Sequence, residues 1–352
     1  MPLALVTGGT GFIGANVVRA LLEEGVAVRA LVRRSSDDRN LAGLDVEQIE
    51  GDITDTASLD AAVQGVDVVF HVAALYELAA TDRPRVFQVN VQGTRAVMNA
   101  ALRAGVDRVV HTSSVAAVGH IRADGSLASE ADWTNPGNFA GPYEESKYYS
   151  ERLVHDMVER DGLPAVVVNP TAPLGPLDVK PTPTGRMIAD AANRAMPGYL
   201  PSGGLNIVHV RDVARGHVLA WRRGRVGERY ILGHQQGNLT LREIFLDAAE
   251  AAADVSAVTD GRGGRWRWAA PRMPLLPLPY AVALAYAHLD ERVLSRIWRR
   301  PPRAPIAGVR LARQRMWFDC RKAVEELELP QTPVPEAFRD AVEWFRSEGL
   351  VG

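Results

Sequence analysis

The sequence predicts an α/β protein, a doubly wound parallel sheet joined to a smaller, discontinuous C-terminal substrate domain, and three observations predict it. Short apolar runs alternate with longer helical patterns through the first half of the 352-residue chain. The runs are almost unbroken in Val, Ile, Leu and Ala, and a glycine-rich loop follows the first of them. Alternation of this kind marks parallel strands joined by crossover helices. Unbroken apolar strands are what a sheet covered on both faces requires.

In order, the runs are Leu3 to Val6, Val26 to Val32, Val46 to Ile49, Val66 to Val72, Arg108 to His111 and Ala165 to Val168, with a helical stretch Ala15 to Glu24 after the first. After Asn169-Pro170 the texture turns rich in Pro and Gly, over Pro170 to Gly185 and Met196 to Gly204, before a strand-helix pair resumes over Ile207 to Trp221. The chain is therefore expected to leave the sheet, build part of a second unit and return. The expected division is 1–169 plus about 206–232 for the larger unit, and 170–205 plus 233–352 for the smaller.

Composition narrows the function. Lys plus Arg total 40 against 42 for Asp plus Glu, a formal net charge of −2. No global field recruits nucleic acid, so the expected partners are small molecules. The single cysteine, Cys320, excludes an internal disulfide framework and suits a reducing cytoplasm. Its expected role is packing. The eight histidines show no tight spacing with acidic partners, so no metal site is expected. The start Met1 to Val6 runs into the glycine loop without a basic segment or cleavage site, unlike a secretory signal.

The loop reads Thr7-Gly8-Gly9-Thr10-Gly11-Phe12-Ile13-Gly14. Glycines there let the backbone turn tightly and approach a pyrophosphate, while the following helix offers free N–H groups and a positive dipole end. Strand, loop and helix in this order point to a dinucleotide, bound by Gly8, Gly11, Phe12, Ile13 and Gly14. The registers Gly8/Gly11/Gly14 and Gly9/Gly11/Gly14 both fit. The second strand ends in Leu31-Val32-Arg33-Arg34, where an acid would accept the adenosine ribose hydroxyls of NAD. Arg33 suits a 2′-phosphate instead, so NADP is the expected cofactor and NAD the alternative, with Asp37 or Asp38 then reaching the ribose. Asp52, after the third strand, either meets the adenine amino group or caps a turn.

Tyr143 and Lys147 stand four apart at the start of a helix expected to run to about Glu159, so both project from one face. A neighbouring ammonium favours the phenolate and would tune a tyrosine towards proton transfer. Ser114 ends the strand that begins at Arg108, at the sheet edge where ligands of open α/β sheets bind. Its hydroxyl can hold a substrate oxygen while Tyr143 passes a proton.

Thr7 to Gly14, Asp52-Ile53, His71 to Ala74, Asn90 with Gly93-Thr94, Thr112 to Ser114, Tyr143/Lys147 and Asn169-Pro170 together resemble the extended short-chain dehydrogenase/reductases, of Rossmann type, and within them the NAD-dependent epimerase/dehydratase family. The stretch from Asn169 to Arg186 is most similar to hopanoid-associated sugar epimerases, with dihydroflavonol reductases as cousins. The resemblance implies hydride transfer at a hydroxyl or carbonyl carbon. It implies that Val72, Ala73, Ala74, Ile53 and Asn90 line the cofactor, that Pro170 faces the nicotinamide and that Lys147 bonds its ribose. Two residues depart from the family pattern: Arg33 replaces an acid of the NAD-using sugar epimerases, and Asn169 stands where many relatives carry arginine.

Three functions follow as expectations. One is a nucleotide-sugar epimerase; another is an NADPH-dependent ketone or aldehyde reductase, towards which Arg33 leans; the third, a dinucleotide-binding redox sensor, would need no Ser-Tyr-Lys set. Asn169, Arg186 and Arg211 are candidate substrate contacts. A homodimer through two sheet-flanking helices is the expected assembly. The segment 271–303, with a helical pattern from Tyr280 to Trp298, is too short and interrupted to span a bilayer. It is expected to cover the substrate site, or else to touch a membrane surface through its apolar start and basic end. Arginine and tryptophan alternate in Arg262 to Trp268, which reads as a loop.

Overall fold

The computed structural model describes all residues except 77–81, 123, 197, 260–275, 299–301 and 303, and omits the side chains of 256–259 and 296. Arg262 to Trp268 therefore lies outside the described residues. Six strands, β1 (Leu3–Thr7), β2 (Ala27–Val32), β3 (Glu47–Glu50), β4 (Val68–His71), β5 (Arg108–Thr112) and β6 (Ala165–Pro170), join Arg229–Leu232 in one parallel sheet. Its order is Arg229–Leu232, β6, β5, β4, β1, β2, β3. The chain winds outward from β1 in one direction and returns to wind in the other. This creates a switch point between β1 and β4, where the carboxyl ends of the strands open a crevice.

Neighbouring residues within one strand enter opposite cores. Ala4 and Val6 pack with Val68 and Phe70 on one face, whereas Leu5 and Val69 pack on the other. Helices cover both faces, which is why these strands carry no polar alternation. The helix α1 (Phe12–Glu23) packs with Val210–Arg223 over the first face, and Thr94–Ala104 with Pro142–Asp161 over the second.

The smaller unit has its own sheet and core. Strand Gly204–His209 pairs in parallel with Ala172–Leu174 and Arg315–Met316, and antiparallel with Asn238–Thr240. Residues 206–209, expected in the larger unit, thus belong to the second sheet by hydrogen bonding. By packing they serve both units, since Ile207 enters the second core and Val208 the first. Phe245, Phe338 and Phe345 fill that second core.

Candidate active site

Sterics choose between the two glycine registers. Gly8 has φ +75°, in the left-handed region, and a Cβ there would stand 2.7 Å from the Ala73 nitrogen. At Gly14 a Cβ would fall 2.1 Å from the Gly8 oxygen, so helix and loop touch only because both side chains are absent. A Cβ on Gly9 would make ordinary contact with Val18, at 3.4 Å. The register is therefore Gly8/Gly11/Gly14. Gly11 precedes α1, and no side chain caps that helix. The first-turn N–H groups of Phe12 and Ile13 are left for an anion, so the loop fits a dinucleotide pyrophosphate.

Around this loop the structure gathers most of the expected cofactor residues. Val72 donates its N–H to the Thr7 carbonyl at 3.2 Å, and Ala73 donates to the Thr7 hydroxyl at 3.3 Å, which sets 72–74 beside Gly8. Asn90 is buried and its amide is spent: Oδ1 accepts from Leu75 N at 2.7 Å, while Nδ2 donates to Leu75 O and to Ser146 Oγ. It therefore holds the loop after β4 against the helix Pro142–Asp161 and offers no atom to a ligand. Ile53 is buried against Gly93, where a Cβ would meet it at 2.8 Å. Asp52 Oδ1 accepts from both Thr54 N and Thr54 Oγ1, so the turn-capping role is present.

Arg33 is exposed beyond β2 and has no partner among the described residues. Its neighbour Arg34 pairs with Glu50 at 3.1 Å. Asp37, the alternative ribose ligand, is instead tied to Arg39 at 2.8 Å. That bond holds the Asp37 carboxyl below its ordinary range.

The helix Pro142–Asp161 begins with Pro142 in its first turn, a position where the missing N–H costs nothing. Tyr143 lies beside Ser114, which acts on its phenol, and its ring lies 4.6 Å from that of Tyr76. Thr184 of the smaller unit acts in the same way on the Tyr76 hydroxyl. Tyr143 thus stands near residues of both units. Lys147 is buried and donates to the Thr112 carbonyl at 3.0 Å. Burial pulls its ammonium down to about 8, opposed in part by Glu151. The expected acidification of Tyr143 by this lysine is absent, because burial dominates and pushes the phenol upward, with Tyr76 adding to it and Ser114 opposing it.

Sequence reading missed a buried network behind Ser114. Glu151, fully buried, accepts hydrogen bonds from Ser113 and, at 2.7 Å, from Asn169 Nδ2. Its other oxygen lies 2.7 Å from Arg229 Nε, a close ion pair out of line for a hydrogen bond. Asn169 also donates to the Ser114 carbonyl at 3.0 Å. Asn169 is fully buried, with Oδ1 left without a hydrogen-bond partner, and its Nδ2 braces the backbone that carries Ser114. Arg211 is likewise engaged, with Asp340 at 2.9 Å. Arg186 is exposed, and its charge acts on Asp178, whose carboxyl burial pushes up to about 6. Tyr76 and Glu151 left no signal, since a lone tyrosine in a loop and a glutamate within a helix are ordinary in sequence.

The cover over Tyr143 is also not the expected one. Ala307 and Leu311, on helix Ile306–Ala312, close with Gly141 to Glu144 around a void of about 10 Å³. The described part of 271–303 packs behind that helix.

Glu144, next to Tyr143, is buried, and burial raises its carboxyl to about 7 from an ordinary 4.5, opposed by the Ala140 N–H. The protonated form is the one the fold favours, so its contribution is complete below 4.5 and lost as pH rises through about 7. Glu144→Gln is expected to melt higher than the natural protein at about pH 8, with the difference vanishing at about pH 4. Thermal melts across that range check it.

A parallel Rossmann-type sheet whose glycine loop fits a dinucleotide defines a nucleotide-dependent oxidoreductase class of fold. Residues 4–233 match the NAD dependent epimerase/dehydratase family, and the chain belongs to that family. It is accordingly an NAD(P)-dependent enzyme of the extended short-chain dehydrogenase/reductase type. A dihydroflavonol 4-reductase-like protein of Synechocystis sp. is 43% identical, over 98% of this chain and 95% of that one. Sterol demethylase protein B of Methylococcus capsulatus is 39% identical over 99% of both. Among solved structures, a nucleoside-diphosphate-sugar epimerase from Pseudomonas aeruginosa aligns with TM-score 0.76 and 27% identity, over 100% of this chain and 99% of that one.

Proposed function

We propose that this chain is an NADP(H)-preferring reductase of a ketone or aldehyde carbonyl, reversible to the alcohol, acting on a largely apolar molecule. The observation that carries the reading is Arg33, partnerless at the end of β2 while Arg34 and Asp37 are both engaged. A guanidinium there can bind a 2′-phosphate through paired charge-assisted bonds. Two relatives that run the whole length of the chain are named for a dihydroflavonol and for a sterol, both polycyclic and mostly apolar.

In this reading bound NADPH supplies the hydride. Ser114 holds the carbonyl oxygen and Tyr143 gives its proton to the developing alkoxide, a task suited to a phenol that burial keeps protonated at neutral pH. Lys147, held at the Thr112 carbonyl, would hold the nicotinamide ribose, and Pro170 with Val72 to Ala74 would line the nicotinamide. Ile53, and Asp52 through the oxygen its turn does not use, would hold the adenine. Arg186 stands at the substrate entrance. The nucleotide unit is 1–169 with about 206–232, and 170–205 with 233–352 bind substrate. The setting is cytoplasmic, in keeping with one cysteine, and the assembly a homodimer.

The likeness to a sugar epimerase favours a second reading, interconversion of nucleotide sugars with no net use of cofactor. Two assays separate them. Arg33→Ser is expected to weaken NADPH binding by roughly 10- to 100-fold and leave NADH unchanged, the worth of one charged hydrogen-bonding group. Loss of NADPH absorbance with an aryl or polycyclic ketone supports the reductase. Turnover of UDP-sugars without that loss overturns it.

A further inference from the structure

The helix Tyr280–Leu289 contains no charged residue, yet of its ten residues only Ala287 is buried. A helix apolar on every side belongs in a core or against lipid. This one is not enclosed by the protein, and among the described residues no helix is long and apolar enough to cross a membrane. It continues through the turn Asp290–Leu294 to Ser295–Ile297. Along that length Val282, Tyr286, Leu289, Val293 and Ile297 are exposed at spacings of four, three, four and four, one continuous stripe. Val282 is 56% exposed and Ile297 67%.

Charge beside the stripe has one sign. Among the described side chains of 291–315, Arg292, Arg310, Arg313 and Arg315 are exposed while the one acid, Glu291, is not, in a chain whose formal net charge is −2. The acids of the helix face the protein: Asp290 accepts from Ala304 N at 3.0 Å and Glu291 from Ile306 N at 2.7 Å. Arg292 is exposed, and the Arg313 guanidinium lies 4.6 Å over the Tyr280 ring. The helix packs on Ile306–Ala312, whose Ala307 and Leu311 border Tyr143.

We propose that the helix from Tyr280 to Ile297 lies in the plane of an anionic lipid bilayer, its stripe among the acyl chains and its arginines at the headgroups. Docking there sets the cover of the active site at the lipid surface, one helix away from Tyr143. The inference stands on the surface itself, whichever substrate reading holds.

The test is co-sedimentation of the full chain with phosphatidylcholine vesicles, with and without phosphatidylglycerol. Binding is expected with phosphatidylglycerol at low salt, falling as salt rises. Combined Leu289→Glu, Val293→Glu and Ile297→Glu, all at exposed sites, is expected to cut the partition roughly tenfold or more while the melting curve stays in place. Arg292→Gln is expected to cut it about fivefold. No binding of the natural chain at low salt overturns the proposal, as does binding that survives the triple substitution. Conversion of a dimer to a monomer by the triple variant, seen by gel filtration without vesicles, also overturns it, since a second copy then covers the stripe.

Discussion

Tyr143→Phe is expected to lower kcat by about 10²- to 10⁴-fold, the range a positioned proton donor supplies, and to leave nucleotide binding intact. The ring stays, so its contact with Tyr76 at 4.6 Å survives, and only the hydroxyl beside Ser114 is lost. The glycine loop and Lys147 are untouched, Lys147 being held by the Thr112 carbonyl. Ser114→Ala removes the neighbouring hydroxyl and is expected to share the loss, so the double variant falls little further than either single one. Steady-state kinetics, with NADPH binding followed by fluorescence, decide the matter. Turnover unchanged in Tyr143→Phe removes the proton-transfer role.

The direction in which Tyr143 titrates bears on the form the phenol takes at rest. A buried phenol pushed upward stays protonated near neutral pH, with a proton to give but less readiness to give it. Carbonyl reduction needs an acid at the developing alkoxide, whereas alcohol oxidation begins by removing a proton. The same phenol donates in one direction and accepts as phenolate in the other, so its titration does not choose between them.

The larger unit was legible in the sequence because its signals are local. Apart from the edge strand β3, β1 to β6 are mostly apolar runs that need no knowledge of their neighbours, and Gly8 to Gly14 sits between strand and helix within eight residues. The register could not be read, since the clash at Gly14 is with Gly8 and the clash at Gly8 is with Ala73, sixty-five positions on. Asn90 and Asn169 could not be placed from sequence, because their side chains bind partners distant in the chain: Leu75 and Ser146 for Asn90, and Glu151 and Ser114 for the Asn169 Nδ2. The smaller unit was obscure for the same reason: strand Gly204–His209 shares its residues between two cores, so no single periodicity describes it.

Glu151→Ala is expected to cost about 3–5 kcal/mol at neutral pH, the penalty for leaving a buried partner charge uncompensated. Burial works against the Glu151 carboxylate, but Arg229, His155 and Ser113 outweigh it and hold the group below its ordinary range. A depressed carboxyl contributes above its unfolded value and loses that contribution as pH falls through the folded one. The gap between the variant and the natural protein is therefore widest at neutral pH and narrows in acid. Arg229 cannot relax into water, because its guanidinium also lies 4.0 Å over the Trp133 ring and donates to the Asp132 carbonyl at 3.0 Å. Replacing both partners, Glu151→Leu with Arg229→Met, is expected to recover most of the stability. It is not expected to recover kcat, because Ser113 and Asn169 still lose their acceptor, and Asn169 is what braces the Ser114 carbonyl. Urea unfolding at two pH values, set beside kcat of the double variant, tests both halves. Full recovery of kcat would mean that the network stabilises the fold and does nothing to position Ser114.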